Sequence, residues 1–206
     1  SKSHYEGLWL IKRGVGKVMK TGMPTDACII LTYRCQMRCK MCNIWKNPSE
    51  GDREITADEM RMLPKGFEFI NLTGGEPFLR EDLEDIIRVL SPKAKRVVVS
   101  TSGWHYEKIL RIVPRFKNVG VRVSIEGLSQ KNDELRGKDG GFDRGLKTLL
   151  GLQRAGVKDI GFGITVSNHN SKDMLWLYEL GKSMGLEFAT AAFHNSYYFH
   201  KDDNLI

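Results

Sequence analysis

The sequence predicts an α/β fold in which six parallel strands alternate with helices and curl into a partial, TIM-like (β/α)6 barrel. Runs rich in β-branched residues recur roughly every thirty residues along the 206-residue chain, and an amphipathic segment separates each run from the next. Such units form parallel sheets with right-handed crossovers, closed as a barrel or open as a doubly wound sheet. In both arrangements the chemistry belongs at the carboxyl ends of the strands.

The strand candidates are the β-branched runs themselves, which are short and bounded by turn residues. In the fourth run apolar and polar residues alternate, so Ser124 and Glu126 face one side together, opposite Val123. The six predicted strands cover residues 27–33, 67–73, 96–101, 120–125, 159–166 and 186–192.

Five helices are predicted between these strands from amphipathic spacing and from capping signals. Thr56 and Glu59 have the spacing of a capping box, and Gly156 and Gly185 stand where helix C-caps belong. The predicted helices cover residues 56–63, 80–90, 105–113, 143–155 and 172–184.

Composition predicts one ordinary globular domain. The chain is 41% hydrophobic and 28% charged, and no apolar run approaches the roughly 20 residues of a membrane span. We expect a basic helical lead-in over 1–25, a core over 26–193 and a tail over 194–206, which is either an ordered cap or the start of an extension. No signal peptide is recognisable in the lead-in, so we expect a cytoplasmic protein.

Charge and cysteine content narrow the function classes. The net charge of +7 suits an anionic or peptide substrate, but the basic residues are interleaved with acids, which makes nucleic-acid binding unlikely. Four cysteines in a reducing cytosol indicate metal binding or catalysis before disulfides. Cys28 stands apart in an apolar strand, where we expect a buried core thiol.

Three cysteines follow the first strand as Cys35-x3-Cys39-x2-Cys42. Structural zinc sites usually have four ligands, and this run offers three. Three thiolates on one loop suit a cubane iron-sulfur cluster, in which one of the four irons would then lack a protein ligand.

Polar or glycine-rich motifs also follow the next three strands, so all four motifs meet at one rim. The sequence Gly74-Gly75-Glu76-Pro77 follows the second strand, STSG ends the third and SIEG ends the fourth. Glycine permits close ligand approach. Hydroxyl groups at a strand tip, such as those of Ser100 and Thr101, suit a ribose or a carboxylate.

The cysteine spacing, with GGEP after the following strand, resembles the radical S-adenosylmethionine (SAM) superfamily over roughly residues 27–192. The resemblance implies that Cys35, Cys39 and Cys42 hold a 4Fe-4S cluster whose fourth iron is chelated by SAM. Reductive cleavage of SAM would give a 5′-deoxyadenosyl radical that abstracts hydrogen from a substrate, here a peptide or an anionic small molecule. Members of the superfamily often have an aromatic residue where this chain has Met41.

The resemblance also implies roles for the other motifs. The glycine segment would bind the SAM amino group, with Glu76 as an anionic partner, and Arg136 would pair with the SAM carboxylate. Arg136 also suits a surface ion pair with Asp133 or Glu134, and core packing is an alternative for Ile164, which would otherwise lie against adenine. The expected SAM site comprises Met41, Gly74, Gly75, Glu76, Pro77, Ser100, Thr101, Ser124, Glu126, Arg136 and Ile164.

The chemistry implies a reduced flavodoxin or ferredoxin as electron donor, and no residue is identified as an acid, a base or a hydrogen donor. Two other functions are compatible with the sequence: a βα-barrel protein with zinc on the cysteines, and a non-catalytic cluster protein for electron transfer or iron sensing. The rim motifs argue against the latter. Tail residues that are candidates for lining a substrate entrance are His194, Tyr197, Tyr198 and His200.

Overall fold

The structure, a computed structural model, describes Gly22 and residues 24–193. The expected helix in the lead-in and the candidate entrance residues of the tail lie outside the described residues, so both stay predictions. The boundaries at 26 and 193 also stay predictions.

Six parallel strands form one sheet whose spatial order is the order of the chain. Each strand pairs with the next in parallel, and the sheet curls into a half-barrel, which confirms the predicted partial (β/α)6 architecture. All carboxyl ends therefore lie on one rim. The strands are β1 (Asp26–Ile30), β2 (Phe67–Thr73), β3 (Ala94–Thr101), β4 (Val119–Ser124), β5 (Ile160–Val166) and β6 (Glu187–Ala192).

Helices cover the convex face of the sheet. The predicted capping box is present, since Thr56 accepts from the Glu59 N–H and Glu59 accepts from the Thr56 N–H. Gly156 and Gly185 end their helices at φ of +80° and +67°, which is the left-handed region that favours glycine. The helices are α1 (Ala57–Arg61), α2 (Leu83–Leu90), α3 (Tyr106–Ile112), α4 (Ser129–Arg136), α5 (Gly141–Arg154) and α6 (Met174–Ser183).

The core lies between the convex face and these helices. Alternate residues of the central strands point into it, including Ile70, Val97 and Val121, and α2 contributes Ile86 and Leu90. Each such side chain contributes about 1.5–3 kcal/mol on burial. The other set of alternate residues faces the concave side, which is largely polar.

Cys28 corrects one expectation, because its thiol is exposed rather than buried. Its neighbours Ala27 and Ile29 pack against the core, and strand alternation turns Cys28 to the opposite, concave face. There its sulfur accepts a long contact from Asn71 Nδ2 at 3.7 Å. The predicted first strand is also too long, since it ends at Ile30.

Helix α4 is absent from the prediction, and it matters because it carries Arg136. Its sequence, SQKNDELR, has no apolar periodicity, because Leu135 is its one apolar residue, and Leu135 is buried. Tertiary contacts and a C-terminal cap stabilise this helix instead. The Asn132 carboxamide oxygen accepts the Glu126 N–H at 2.9 Å, and Gly137 caps the helix at φ +62°.

Candidate functional site

A cavity of ≈150 Å³, here called the rim cavity, opens at the carboxyl ends of the strands. Eleven of the fourteen predicted site residues line it, because the loops after β1 to β4 all end on this rim. They are Cys35, Cys39, Met41, Cys42, Gly74, Gly75, Ser100, Thr101, Ser124, Glu126 and Arg136.

The cysteine loop, residues 34–43, is held against the end of α4. The main-chain N–H groups of Arg38 and Lys40 donate to the carbonyls of Arg136 and Leu135 at 3.1 and 2.9 Å. Gly137 comes so close that an added Cβ would lie 2.3 Å from the Arg38 carbonyl oxygen. The missed helix therefore shapes the loop that carries the thiols.

A small apolar cluster lies on the inner side of this loop. Met37, Met41 and Leu135 are buried together with Cys39, and Cys35 and Cys42 pack against them. Met41 thus fills the core of the loop and also lines the rim cavity. Its flexible thioether suits both surroundings.

Burial disfavours ionisation of the thiols in the protein alone. It raises the pKa of Cys35 to about 11 and that of Cys39 to about 12, although the nearby Arg136 lowers both. Metal ligands must be thiolates, so a cation is needed to hold these sulfurs ionised. Binding of a metal cluster would therefore release the protons of these thiols.

Across residues 24–193, no three Cys, His, Asp or Glu side chains form a group suited to one metal ion. A single tetrahedral zinc requires its ligands to converge on one point. In a cubane each thiolate binds its own iron, so a cluster does not require the three sulfurs to converge on one point.

Two glycines bring the turn after β2 against the entry to the cysteine loop. An added Cβ at Gly74, which has φ +140°, would lie 2.3 Å from the Thr32 carbonyl oxygen. At Gly75 it would lie 2.1 Å from the Arg34 carbonyl oxygen and 3.1 Å from Cys35 Cβ. The backbone at both positions is thereby brought to the rim cavity beside the thiols.

Glu76 does not line the rim cavity, because its carboxylate is fully buried and bound by the chain. The Phe78 and Ser102 N–H groups donate to it at 3.2 and 2.9 Å, and the hydroxyls of Thr101 and Ser102 donate as well. Glu76 therefore ties the tip of β2 to the tip of β3. This arrangement leaves the expected direct contact with the SAM amino group to the glycine backbone.

Two other predicted residues also lie outside the rim cavity. Pro77 is buried at the start of the short turn that follows Glu76. Ile164 is 3% exposed and packs in the core between the sheet and the helices.

Glu126 and Arg136 form a buried pair at the far wall. Arg136 Nη1 lies 3.4 Å from Glu126 Oε1, and the Thr165 N–H donates to Glu126 Oε2 at 2.8 Å. Burial would lower the pKa of Arg136, but Cys39 and Glu126 outweigh it and the pKa is raised. Arg136 is thus a stable cation, and it pairs with Glu126 rather than with Asp133 or Glu134.

The Nε of Arg136 is buried and has no hydrogen-bond partner among the described residues. A buried donor without a partner is costly and marks a place where an acceptor is expected. Arg136 lines the rim cavity, so its guanidinium is placed to bind a ligand carboxylate there. The cavity therefore fits the amino-acid end of SAM.

Other residues of the rim cavity were not predicted. Thr165 is the second-last residue of β5, close to the strand tip like the hydroxyl residues of β3 and β4, so its position was a usable signal. Trp45 and Ile44 follow the third cysteine, and nothing in the sequence marks them. Trp45 Nε1 lies 3.5 Å from the Cys39 carbonyl oxygen.

The concave side of the half-barrel holds a second cavity of ≈360 Å³, here called the lumen cavity. It shares Ser100, Ser124, Glu126 and Thr165 with the rim cavity. Ion pairs between arginines and acids close its floor, with Arg96 and Arg122 both 2.7 Å from Asp159. The two cavities therefore adjoin each other at the carboxyl ends of the strands.

The fold and the cavities define a (β/α) half-barrel protein with its site at the carboxyl ends of the strands. The family model for the radical SAM superfamily matches residues 29–180. The chain belongs to the radical SAM superfamily.

Two curated relatives are similar to this chain in sequence. Fe-coproporphyrin III synthase of Methanosarcina barkeri is 30% identical over 158 residues, which are 73% of this chain and 39% of the relative. Sporulation killing factor maturation protein SkfB of Bacillus subtilis is 24% identical over 189 residues, 83% of this chain and 45% of the relative. The chain thus spans less than half the length of these relatives.

Solved structures share the fold. SuiB of Streptococcus suis bound to S-adenosylmethionine has a TM-score of 0.74 at 19% identity, covering 89% of this chain and 44% of that chain. SuiB bound to its precursor peptide SuiA has a TM-score of 0.75, again at 19% identity, covering 89% of this chain and 42% of that chain. At this identity the likeness concerns the fold alone. Within residues 24–193, no helix has the length and apolar character needed to cross a membrane.

Proposed function

We propose that this chain is the core of a radical SAM enzyme, in which Cys35, Cys39 and Cys42 hold a 4Fe-4S cluster and the rim cavity holds SAM. When bound, the cluster supplies one electron to the SAM sulfonium, which gives methionine and a 5′-deoxyadenosyl radical that abstracts hydrogen from a substrate. One observation carries the proposal: three thiols, two glycines and an arginine with an unpartnered Nε line one small cavity.

The chain's own residues bind and orient SAM. The backbone of Gly74 and Gly75 faces the amino group, and Arg136 donates to the carboxylate through a planar guanidinium. Ser100, Thr101, Ser124 and Glu126 are the partners for the ribose and the methionine portion. Because Glu76 is fully bound by donors of the chain, it supports the glycine turn instead of contacting SAM.

The substrate is a peptide or an anionic small molecule that enters the lumen cavity beside the reactive carbon of SAM. SkfB is named as a maturation protein, SuiB was solved with a precursor peptide, and another relative is named as a synthase of Fe-coproporphyrin III. These names support a substrate that is a peptide or a small molecule. Reduced flavodoxin or ferredoxin is the proposed electron donor.

The test is anaerobic reconstitution with iron and sulfide, followed by SAM and dithionite. We expect about four irons and four sulfides per chain, and formation of 5′-deoxyadenosine from SAM. Zinc without iron would support the zinc protein instead. A cluster that leaves SAM intact would support a non-catalytic cluster protein.

Alanine variants of two cysteines test the ligand assignment. Cys39→Ala is expected to abolish the cluster absorbance, because its buried thiol has no substitute on the loop. Cys28→Ala is the matched control and is expected to load fully, since Cys28 faces the concave side and contacts Asn71. Loss of the cluster in both variants would make Cys28 a ligand and contradict the assignment.

A further inference from the structure

A buried carboxylate lies at the base of the cysteine loop, in a position that the proposed site does not use. Glu54 precedes α1, and its side chain is only 3% exposed. Burying an unpaired charge is costly, so a carboxylate in this place requires several donors. The origin of those donors shows what Glu54 holds in place.

All of the close donors come from the chain that enters or leaves the cysteine loop. Thr32 and Ser49 donate their hydroxyls to Glu54 Oε1. Arg34 binds both carboxylate oxygens, with Nε 3.0 Å from Oε1 and Nη2 2.8 Å from Oε2. Glu54 therefore ties Thr32 and Arg34, at the start of the cysteine loop, to Ser49, which follows the loop in the chain.

The carboxylate is ionised in this setting. Burial raises the pKa of Glu54, but the bonds from Arg34, Ser49 and Thr32 outweigh burial and leave that pKa below its ordinary value. A bidentate pair between an arginine and a carboxylate is among the stronger and more directional hydrogen-bonded contacts.

Arg34 transmits this constraint to the glycine turn. Its carbonyl oxygen accepts the Glu76 N–H at 2.9 Å and lies against Gly75, where an added Cβ would be 2.1 Å away. On its other side Arg34 is bonded directly to Cys35. One residue thus joins the thiol loop to the backbone that faces the rim cavity.

A second arginine, which is buried, supports the same base. Arg80, which is 5% exposed, donates to the Leu31 carbonyl oxygen at 2.9 Å and lies 3.6 Å from Glu54 Oε2. It is also paired with Asp82 at 2.6 Å. The cations and acids of this base balance, so removal of the Glu54 charge leaves Arg34 without its carboxylate while Arg80 keeps Asp82.

We infer that Glu54 is a positioning residue which, through Arg34, sets the cysteine loop against the Gly74–Gly75 turn and so couples the cluster to bound SAM. This inference rests on the proposed function, since it concerns how the two halves of that site are held together. Glu54 itself touches neither the thiols nor the rim cavity.

The test compares Glu54→Gln with Glu50→Gln. Glutamine keeps the size of the side chain but removes its charge. Glu50 is a matched control, because it lies four residues before Glu54 and its exposed carboxylate pairs with Arg53 at 2.8 Å. The first measurement is alkylation of Cys35 by iodoacetamide in the metal-free, folded protein. We expect labelling about tenfold faster in Glu54→Gln, the effect of losing one charge-assisted hydrogen bond, and unchanged labelling in Glu50→Gln.

The second measurement is the electron paramagnetic resonance (EPR) spectrum of the reduced, reconstituted protein with and without SAM. Glu54→Gln is expected to bind its cluster but to show a weakened spectral response to SAM. Arg34→Lys, which keeps a cation but loses the paired donors, is expected to show the same changes to a smaller extent, and it serves as the test should Glu54→Gln fail to fold. Wild-type labelling rates and a wild-type SAM response in these variants would overturn the inference. Failure of the wild-type protein to form a cluster would instead overturn the proposed function.

Discussion

Gly75→Ala is expected to abolish assembly of the cluster and of the SAM site. The new Cβ would lie 2.1 Å from the Arg34 carbonyl oxygen and 3.1 Å from Cys35 Cβ. Backbone atoms cannot turn aside as a side-chain end can, so either the glycine turn or the cysteine loop must move. A cost of roughly 3 kcal/mol, at the upper end for overpacking, would reduce the correctly formed loop about a hundredfold.

Iron content and cluster absorbance after anaerobic reconstitution measure this effect. Gly51→Ala is the control, because an added Cβ there meets nothing within 4 Å, and it is expected to load like the unchanged protein. The circular dichroism spectrum of Gly75→Ala should remain that of a folded α/β protein, since the core is untouched. Full loading with an unchanged SAM response in Gly75→Ala would show that the close approach is not required.

Arg136→Met is expected to weaken SAM binding about a hundredfold while the cluster still forms. Methionine has a similar length but supplies no donor to a carboxylate, and it leaves the buried Glu126 without its cation. Removing one partner of a buried, hydrogen-bonded charge pair costs about 2–5 kcal/mol. Arg136→Lys keeps the charge without the planar guanidinium, so we expect its affinity for SAM to lie between those of the unchanged protein and of Arg136→Met.

Equilibrium binding of radiolabelled SAM to the oxidised cluster protein measures this loss. Arg111→Met, on the exposed side of α3, is the control and is expected to bind SAM normally. SAM binding of wild-type strength in Arg136→Met would remove Arg136 from the site and leave its unpartnered Nε unexplained.

The strands were predictable because each is a short, largely apolar run bounded by turn residues. β2 matches the predicted range 67–73 at both ends, since Gly66 and Gly74 bound its β-branched run. β1 ends early because the chain beyond Leu31 bonds to the glycine turn and not to a strand, as when the Thr32 carbonyl accepts the Gly75 N–H at 2.7 Å. The side that Cys28 faces could not be predicted, because its strand is apolar at successive positions and the sequence does not indicate which alternate set packs against the helices.

Most of the rim was predictable for a similar reason, since polar residues at the ends of parallel strands meet in space. What the sequence did not reveal depends on tertiary contacts. The helix that carries Arg136 has little periodicity and is held by Asn132 and by the cysteine loop. The sequence does not distinguish Glu54 from other acidic loop residues, because its burial depends on tertiary contacts with Thr32, Ser49 and Arg34.

The central claim is that SAM binds the cluster at the position for which the chain supplies no fourth thiolate. The EPR spectrum of the reduced, reconstituted protein, recorded before and after addition of SAM, tests it most directly. We predict a 4Fe-4S signal that changes its g-values when SAM is added and that returns when SAM is removed. A signal that SAM leaves unchanged at saturating concentration would contradict the claim.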